Sequence, residues 1–375
     1  MITYGIDAHL LSRQQATGVP KYAKCLLEKM MEVKMLEVER VVLYGNEEKP
    51  KDLVLPEQWS WKVLRWPLRR GWTHGRLSLE MMIDPPDVLF VPGHEIPLFV
   101  RRVTSVVTTV HDVAFATSPE VYDPAAVKRQ YFGLQRAIHG ASMVLTPSEA
   151  TKQDLELLYG VRSDRVLVTP LAPTLPVVKG DGSSLMEKNH IQEGQYIFSM
   201  SRLEKKKNTV LLIRAFAILK RRLGMDHPLK LVLAGSLGYG GEEIQKTIAE
   251  EQIGDFVRVL GYIDDEEASM LLGRAVCFAF PSIAEGFGIP VLEAMEHGVP
   301  VVASNISVMK EVCVDAAILV SPNDSSAWSV AMERMMNKDK REEFIRKGFE
   351  NVKRFSWEKA AEMTWYAMRK VILIR

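Results

Sequence analysis

The chain is poor in cysteine. Its 375 residues hold three, Cys25, Cys277 and Cys313. They are too scattered for a CxxC pair or a disulfide framework, and such usage fits a reducing cytosol. Long apolar runs are missing too, and none approaches the length of a membrane span. The opening Met1-Ile2-Thr3-Tyr4-Gly5-Ile6-Asp7 reads as a strand and lacks the basic start and apolar stretch of a signal peptide. The expected location is therefore cytoplasmic, with peripheral contact at the inner face of a membrane left open. There is no charge excess: 48 Lys and Arg face 47 Asp and Glu, interspersed along the chain, which argues against nucleic acid as a partner. The first strand–helix turn has no G-x-G-x-x-G, which argues against a nicotinamide dehydrogenase. No Asp-x-Asp occurs anywhere.

What the chain does have is alternation. Short apolar strands and longer amphipathic segments follow one another throughout, the pattern of parallel α/β sheets. Strands are expected near Thr3–Asp7, Val41–Tyr44, Val88–Val91, Ser105–Val110 and Met143–Thr146. A second set is expected near Tyr196–Met200, Leu229–Ala234, Val257–Leu260, Val276–Phe280, Val301–Ala303 and Ala317–Val320. Between Pro173 and Gln195 the periodicity fails, and Lys179-Gly180-Asp181-Gly182-Ser183-Ser184 has the composition of a linker. The reading is α/β with two doubly wound, Rossmann-like domains, over residues 1–175 and 190–356.

The most informative stretch is Glu285-Gly286-Phe287-Gly288-Ile289-Pro290-Val291-Leu292-Glu293, which follows the apolar strand ending at Phe280-Pro281. Pro290 suits a helix start and Gly298 a helix stop. Free backbone N–H groups and the positive end of the helix dipole mark such a terminus as a phosphate site. Glycines let a ligand approach the backbone closely. One carboxylate on each side can accept hydroxyl hydrogen bonds, an arrangement that fits a sugar nucleotide. An ordinary strand–turn–helix with two solvated glutamates is the bland alternative.

This stretch resembles the E-x7-E motif of retaining GT-B glycosyltransferases, above all glycosyltransferase family 4 and its mannosyltransferase-like members. The match continues through Ala294-Met295 and Gly298-Val299-Pro300-Val301-Val302-Ala303. The resemblance implies two parallel-sheet domains facing across a cleft, the first for the acceptor and the second for the nucleotide sugar. The closing segment 357–375 is expected to cross back onto the first. It further implies that Glu285 binds donor-sugar hydroxyls, Glu293 the ribose, and Gly286, Phe287, Gly288 and Ile289 the donor between them.

Ser201-Arg202-Leu203-Glu204-Lys205-Lys206-Lys207-Asn208 ends the first strand of the second domain, where open α/β sheets place ligands. A guanidinium fork and a mobile ammonium suit one diphosphate. Arg202 and Lys207 match the family pair that holds the leaving diphosphate, although Ser201 and Asn208 replace usual glycines. Lys205 and Lys206 are expected to be solvated. Gly235 ends a second strand beside this loop. Tyr262 and Ile263 resemble the loop that reads the nucleobase, and the acidic run after them suits a helix N-terminus.

In the first domain, Thr17-Gly18-Val19-Pro20-Lys21-Tyr22 resembles the family's first loop, with Gly18 retained and Pro20 replacing a glycine. Val110-His111-Asp112-Val113 ends a strand and resembles the family's His-Asp. It implies His111 near the donor sugar or the transferred proton, with Asp112 as its orienter. Asp112, His94, Arg69 and Arg70 are acceptor-side candidates, the last two within a basic and aromatic stretch, 66–76, suited to an acceptor or to anionic lipid. Together these imply a metal-independent, retaining hexosyltransferase with no cofactor. Its donor is a nucleoside diphosphate sugar, leaning toward GDP-mannose, and its acceptor a glycan or lipid-linked molecule. A sugar-nucleotide epimerase of the same fold, or a catalytically inactive sugar-nucleotide-binding module, is the alternative.

Overall fold

The computed structural model describes residues 1–11, 18–68, 71–178, 180 and 182–373. Arg69 and Arg70, Thr17 of the first loop, and Lys179 and Asp181 of the linker stretch lie outside the described residues. The chain forms two compact units. One comprises Met1–Val113, Ala125–Leu171 and Ser356–Arg375, and the other Ala114–Pro124 and Ala172–Phe355.

The first unit holds a seven-stranded parallel sheet in the order β3-β2-β1-β4-β5-β6-β7. Its strands are β1 (Ile2–Asp7), β2 (Glu39–Gly45), β3 (Trp59–Val63), β4 (Val88–Val91), β5 (Ser105–Thr109), β6 (Met143–Thr146) and β7 (Val166–Val168). β4, β5 and β6 are buried at every position, as a sheet covered by helices on both faces requires. The sheet reverses its winding between β1 and β4, the switch point at which such sheets open a crevice at the strand C-termini.

The closing helix Trp357–Leu373 packs on this unit. Trp365 meets Tyr4 edge-on at 5.1 Å, and its indole N–H donates to the Met30 carbonyl at 3.0 Å. Arg369 donates to both oxygens of buried Glu39, at 2.9 and 2.8 Å, and Glu39 also accepts the Tyr4 hydroxyl. Trp365→Phe keeps the ring contact but removes one of two hydrogen bonds to the Met30 carbonyl, which still accepts the Val33 N–H at 3.3 Å. We expect a loss of about 0.5–1.5 kcal/mol in stability, read as a lower urea midpoint with an unchanged slope.

The second unit holds a six-stranded parallel sheet in the order β10-β9-β8-β11-β12-β13. Its strands are β8 (Tyr196–Met200), β9 (Lys230–Ala234), β10 (Val257–Gly261), β11 (Cys277–Phe280), β12 (Val301–Ser304) and β13 (Ala317–Val320). Its core runs through Leu212, Phe216, Leu231, Cys277 and Trp328, all essentially unexposed. Again the winding reverses, here between β8 and β11. The loops after those two strands therefore share one edge.

Candidate functional site

Four loops meet at the C-terminal edge of the second sheet, and backbone hydrogen bonds lace them together. After β8, the Ser201 N–H donates to Ala234 O at 3.0 Å and the Leu203 N–H to Ser236 O at 2.9 Å. The Gly235 N–H donates to Gly261 O at 2.6 Å, tying the end of β9 to that of β10. Gly235 sits at φ +136°, and a Cβ there would lie 1.8 Å from the Ser201 carbonyl oxygen. Only glycine lets these backbones approach so closely.

Lys205–Lys207 close into a single 3₁₀ turn, followed by Asn208 in the left-handed region. Asn208 precedes the helix Thr209–Leu223, but its side chain makes no cap and donates instead to Pro322 O at 2.8 Å. The Ile283 N–H donates to Lys206 O at 2.9 Å, joining the turn to the loop after β11. It brings the turn bearing Lys207 to the loop bearing Glu285. The Lys207 ammonium donates to Glu285 Oε1, in a pair whose side chains are 16 % and 9 % exposed. Burial alone would raise the Glu285 carboxyl. The charges of Lys207 and Lys206 and the Lys207 hydrogen bond outweigh it, holding the group below the ordinary carboxylate range. Lys206 departs from the solvated reading: it is buried, its ammonium 5.3 Å from the centre of the Tyr122 ring. Lys205 is exposed as expected.

Arg202 and Lys207, the two phosphate candidates of the loop, differ. Lys207 is turned inward, whereas Arg202 is 67 % exposed and its nearest carboxylate is Glu204 at 3.6 Å.

Gly286, Phe287 and Gly288 carry the chain from Glu285 into the helix Ile289–Glu296. Gly288 at φ +97° forms the helix N-cap, and Pro290 occupies its first turn. Phe287 is buried edge-on against Phe355, centroids 5.6 Å apart, which fixes the loop. Glu293 is buried on this helix, and its Oε1 accepts the Thr174 hydroxyl at 2.6 Å and the Thr174 N–H at 3.3 Å. Thr174 was not foreseen, because a lone threonine in a stretch without periodicity carries no signal. Tyr262 is exposed and Ile263 half-buried just after β10. The acidic run after them is a helix start, with Asp264 and Glu267 forming a capping box.

The first unit gathers a second set. His111 and Asp112 follow β5, and His94 follows β4. His111 Nε2 is 2.9 Å from the Pro92 carbonyl oxygen, which only accepts, so Nε2 carries the hydrogen and Nδ1 is the open acceptor of the neutral ring. The Tyr22 ring meets His111 edge-on at 4.6 Å, and the Tyr22 hydroxyl is 2.9 Å from Thr109 Oγ1. Burial is the main cause lowering both histidines below the ordinary imidazole value. His94 lowers His111 further, while Asp112 opposes the shift in both. Gly18 is exposed at the N-cap of the helix Val19–Glu32. One pair was overlooked: Asp7 Oδ1 lies 2.6 Å from His9 Nδ1, and the His9 ring stacks on Trp72 at 4.7 Å, at the end of β1. A carboxylate followed two residues later by histidine at a strand C-terminus was the available signal. Of the basic and aromatic stretch 66–76, buried Trp72 donates to Leu64 O and Arg76 pairs with Glu80, so both serve packing.

These shifts have a pH consequence. Where the folded pKa is lowered, the unfolded chain takes up protons first. Stability is then full above the ordinary value and is lost as pH falls toward the folded one. For His94 and His111 that window opens below 6.5, and for Glu285 below 4.5. Urea unfolding at stepped pH should show a loss beginning near 6.5 and a flatter slope in His111→Gln. An unchanged slope would place the proton uptake elsewhere.

Residues 183–351 match the family described as Glycosyl transferases group 1. The O-antigen chain mannosyltransferase B of Escherichia coli is 31% identical over 296 residues, covering 78% of this chain and 76% of that protein. The chain belongs to the group 1 glycosyl transferases. Among solved structures, the sucrose-phosphate synthase of Thermosynechococcus elongatus superposes with a TM-score of 0.76 at 17% identity, covering 100% of both chains. Anabaena Alr3699/HepE in complex with UDP and glucose gives 0.71 at 17% identity, covering 99% of this chain and 100% of that one. At such identities the likeness concerns the fold, which for this glycosyl transferase is GT-B. Within the group 1 match lie the Lys207–Glu285 pair, the loops after β8 to β11 and the helix bearing Glu293.

Proposed function

We propose that this glycosyl transferase moves a hexose, with mannose favoured, from a nucleoside diphosphate sugar to a hydroxyl of a glycan or lipid-linked acceptor, with retention and without a metal. The observation that carries the reading is the largely buried Lys207–Glu285 pair, in the loop that leads into the helix Ile289–Glu296. Lys207 and the helix N–H groups neutralise charge on the departing diphosphate, as preorganised electrostatic stabilisation. Arg202 swings in from solvent to the same phosphates. Glu285 holds the sugar hydroxyls, and Glu293 takes the ribose on the oxygen not given to Thr174. Gly235, Tyr262 and Ile263 line the nucleotide end. Gly18 and His111 of the first unit address the donor sugar, and Asp112 and His94 the acceptor. The departing phosphate accepts the acceptor's proton.

Two further facts support this reading. The relative from Escherichia coli is named a mannosyltransferase, and the Anabaena protein was solved with UDP and glucose. The test is incubation with radiolabelled GDP-mannose and, separately, UDP-glucose, in EDTA, with extracted glycans and lipids as acceptors. We expect label from GDP-mannose in a product whose anomeric configuration matches the donor. Transfer that requires added Mg²⁺ or Mn²⁺, or an inverted product, would contradict the mechanism. Interconversion of the sugar nucleotide without transfer would favour an epimerase.

A further inference from the structure

The first unit carries a surface that the proposed chemistry does not use. The loop from Ile96 to Val103 crosses one end of the helix Pro124–Gly140, and between them lies a cavity of about 510 Å³. Ile96, Leu98, Phe132, Arg136 and His139 line it. Phe132, Arg136 and His139 fall on one helical face by spacing. Arg136 holds the loop by donating to Pro97 O at 3.0 Å and to Leu98 O at 2.9 Å. On the loop's other side, the Leu98 N–H donates to Ser78 Oγ at 2.8 Å, which places the short helix Ser78–Ile83 against it.

Large apolar side chains stand out from all three elements. Phe99 is 65 % exposed and Phe132 56 %, and Leu79, Ile83 and Val103 are exposed with them. Large apolar side chains exposed on three elements that hydrogen bonds join mark an interaction site. The charge around it is predominantly basic, although exposed Glu95 lies against Gly133 of the helix. Residues 96–111 and 124–148 contain no Asp or Glu, yet carry Arg101, Arg102, Lys128, Arg129 and Arg136. Glu80 and Asp84 of the short helix are both paired to Lys62, at 2.6 and 2.7 Å. In a chain with 48 basic and 47 acidic residues, such local asymmetry selects an anionic partner.

We propose that this surface docks on an anionic phospholipid bilayer. Phe99, Phe132 and Leu98 enter the boundary between headgroups and acyl chains, and Arg101, Arg102 and Lys128 face the lipid phosphates. A basic excess beside exposed aromatic rings fits the headgroup boundary of such a bilayer.

The test is co-sedimentation of the full chain with vesicles, without any sugar nucleotide, so that its outcome is independent of the donor chemistry. Neutral phosphatidylcholine vesicles should leave the protein in solution, and phosphatidylcholine mixed with phosphatidylglycerol should carry it down at low salt. A basic residue near such a surface contributes about fivefold in affinity, so Arg101→Gln with Arg102→Gln should weaken binding about 30-fold. Phe99→Ser with Phe132→Ser should abolish the binding that survives high salt. These side chains are outside the core, so unchanged melting temperatures will show that the variants fold. No sedimentation with anionic vesicles at low salt would overturn the proposal, as would variants that bind like the parent. A stable dimer in ultracentrifugation with no vesicle binding would assign the face to a second copy and overturn it equally.

Discussion

Lys207→Ala is expected to slow glycosyl transfer by about 10²–10³, the cost of removing one preorganised charge partner from a developing oxyanion. The reason is position. Lys207 sits on the turn that the Ile283–Lys206 backbone bond joins to the loop after β11, and its ammonium is paired with Glu285. The same substitution leaves Glu285 buried without its partner, and breaking such a pair costs about 3 kcal/mol, less if the carboxyl takes up a proton. Activity and stability must therefore be separated. The double variant Lys207→Met, Glu285→Gln removes both charges and should regain stability while remaining slow. Recovery of activity along with stability would make the pair a structural device. Arg202→Ala should also slow transfer, yet leave stability within about 0.5 kcal/mol, because the side chain is 67 % exposed.

The second large effect divides the two carboxylates. Glu285→Gln should impair transfer and binding of the intact donor, while leaving the bare nucleoside diphosphate bound. Glu293→Gln should weaken the bare nucleotide itself, since a charge-assisted bond to ribose is worth about 1.5–3 kcal/mol, roughly a 10- to 100-fold loss in affinity. Glu293 also accepts from Thr174, so a structural contribution needs its own control. Thr174→Val removes the hydroxyl bond, leaves the backbone N–H bond and keeps the carboxylate. If Thr174→Val loses nucleotide affinity as Glu293→Gln does, Glu293 acts through Thr174 alone. If Glu285→Gln weakens the bare nucleotide equally, the carboxylates do not divide sugar from ribose.

Much of the fold was legible because parallel strands covered on both faces write continuous apolar runs. β4, β6 and β8 stand where the pattern placed them. The two strands not anticipated are β3 and β7, which sit at opposite edges of the first sheet. Trp59-Ser60-Trp61-Lys62-Val63 alternates with polar residues, and β7 spans three. Edge strands bury less, so the pattern fades. The helix start after Gly288 was likewise written locally, in glycine and proline. What the sequence does not carry is the difference between Arg202 and Lys207, the burial of Lys206, or the Thr174–Glu293 contact. Each depends on a bond between segments 77 to 119 positions apart, and no local propensity encodes those. In the same way, Ala114–Pro124 belongs to the second unit although its neighbours on both sides belong to the first.

The central claim is that the Lys207–Glu285 edge of the second sheet binds a nucleoside diphosphate sugar. Calorimetric titration of the unmodified protein with GDP-mannose and UDP-glucose, in EDTA, tests it most directly, with the Lys207→Met, Glu285→Gln double variant titrated alongside. The account predicts saturable one-to-one binding of at least one of these donors, with GDP-mannose favoured, and a loss of affinity in the folded double variant. Equal affinity in the parent and the variant, or no binding of either sugar nucleotide, would contradict it.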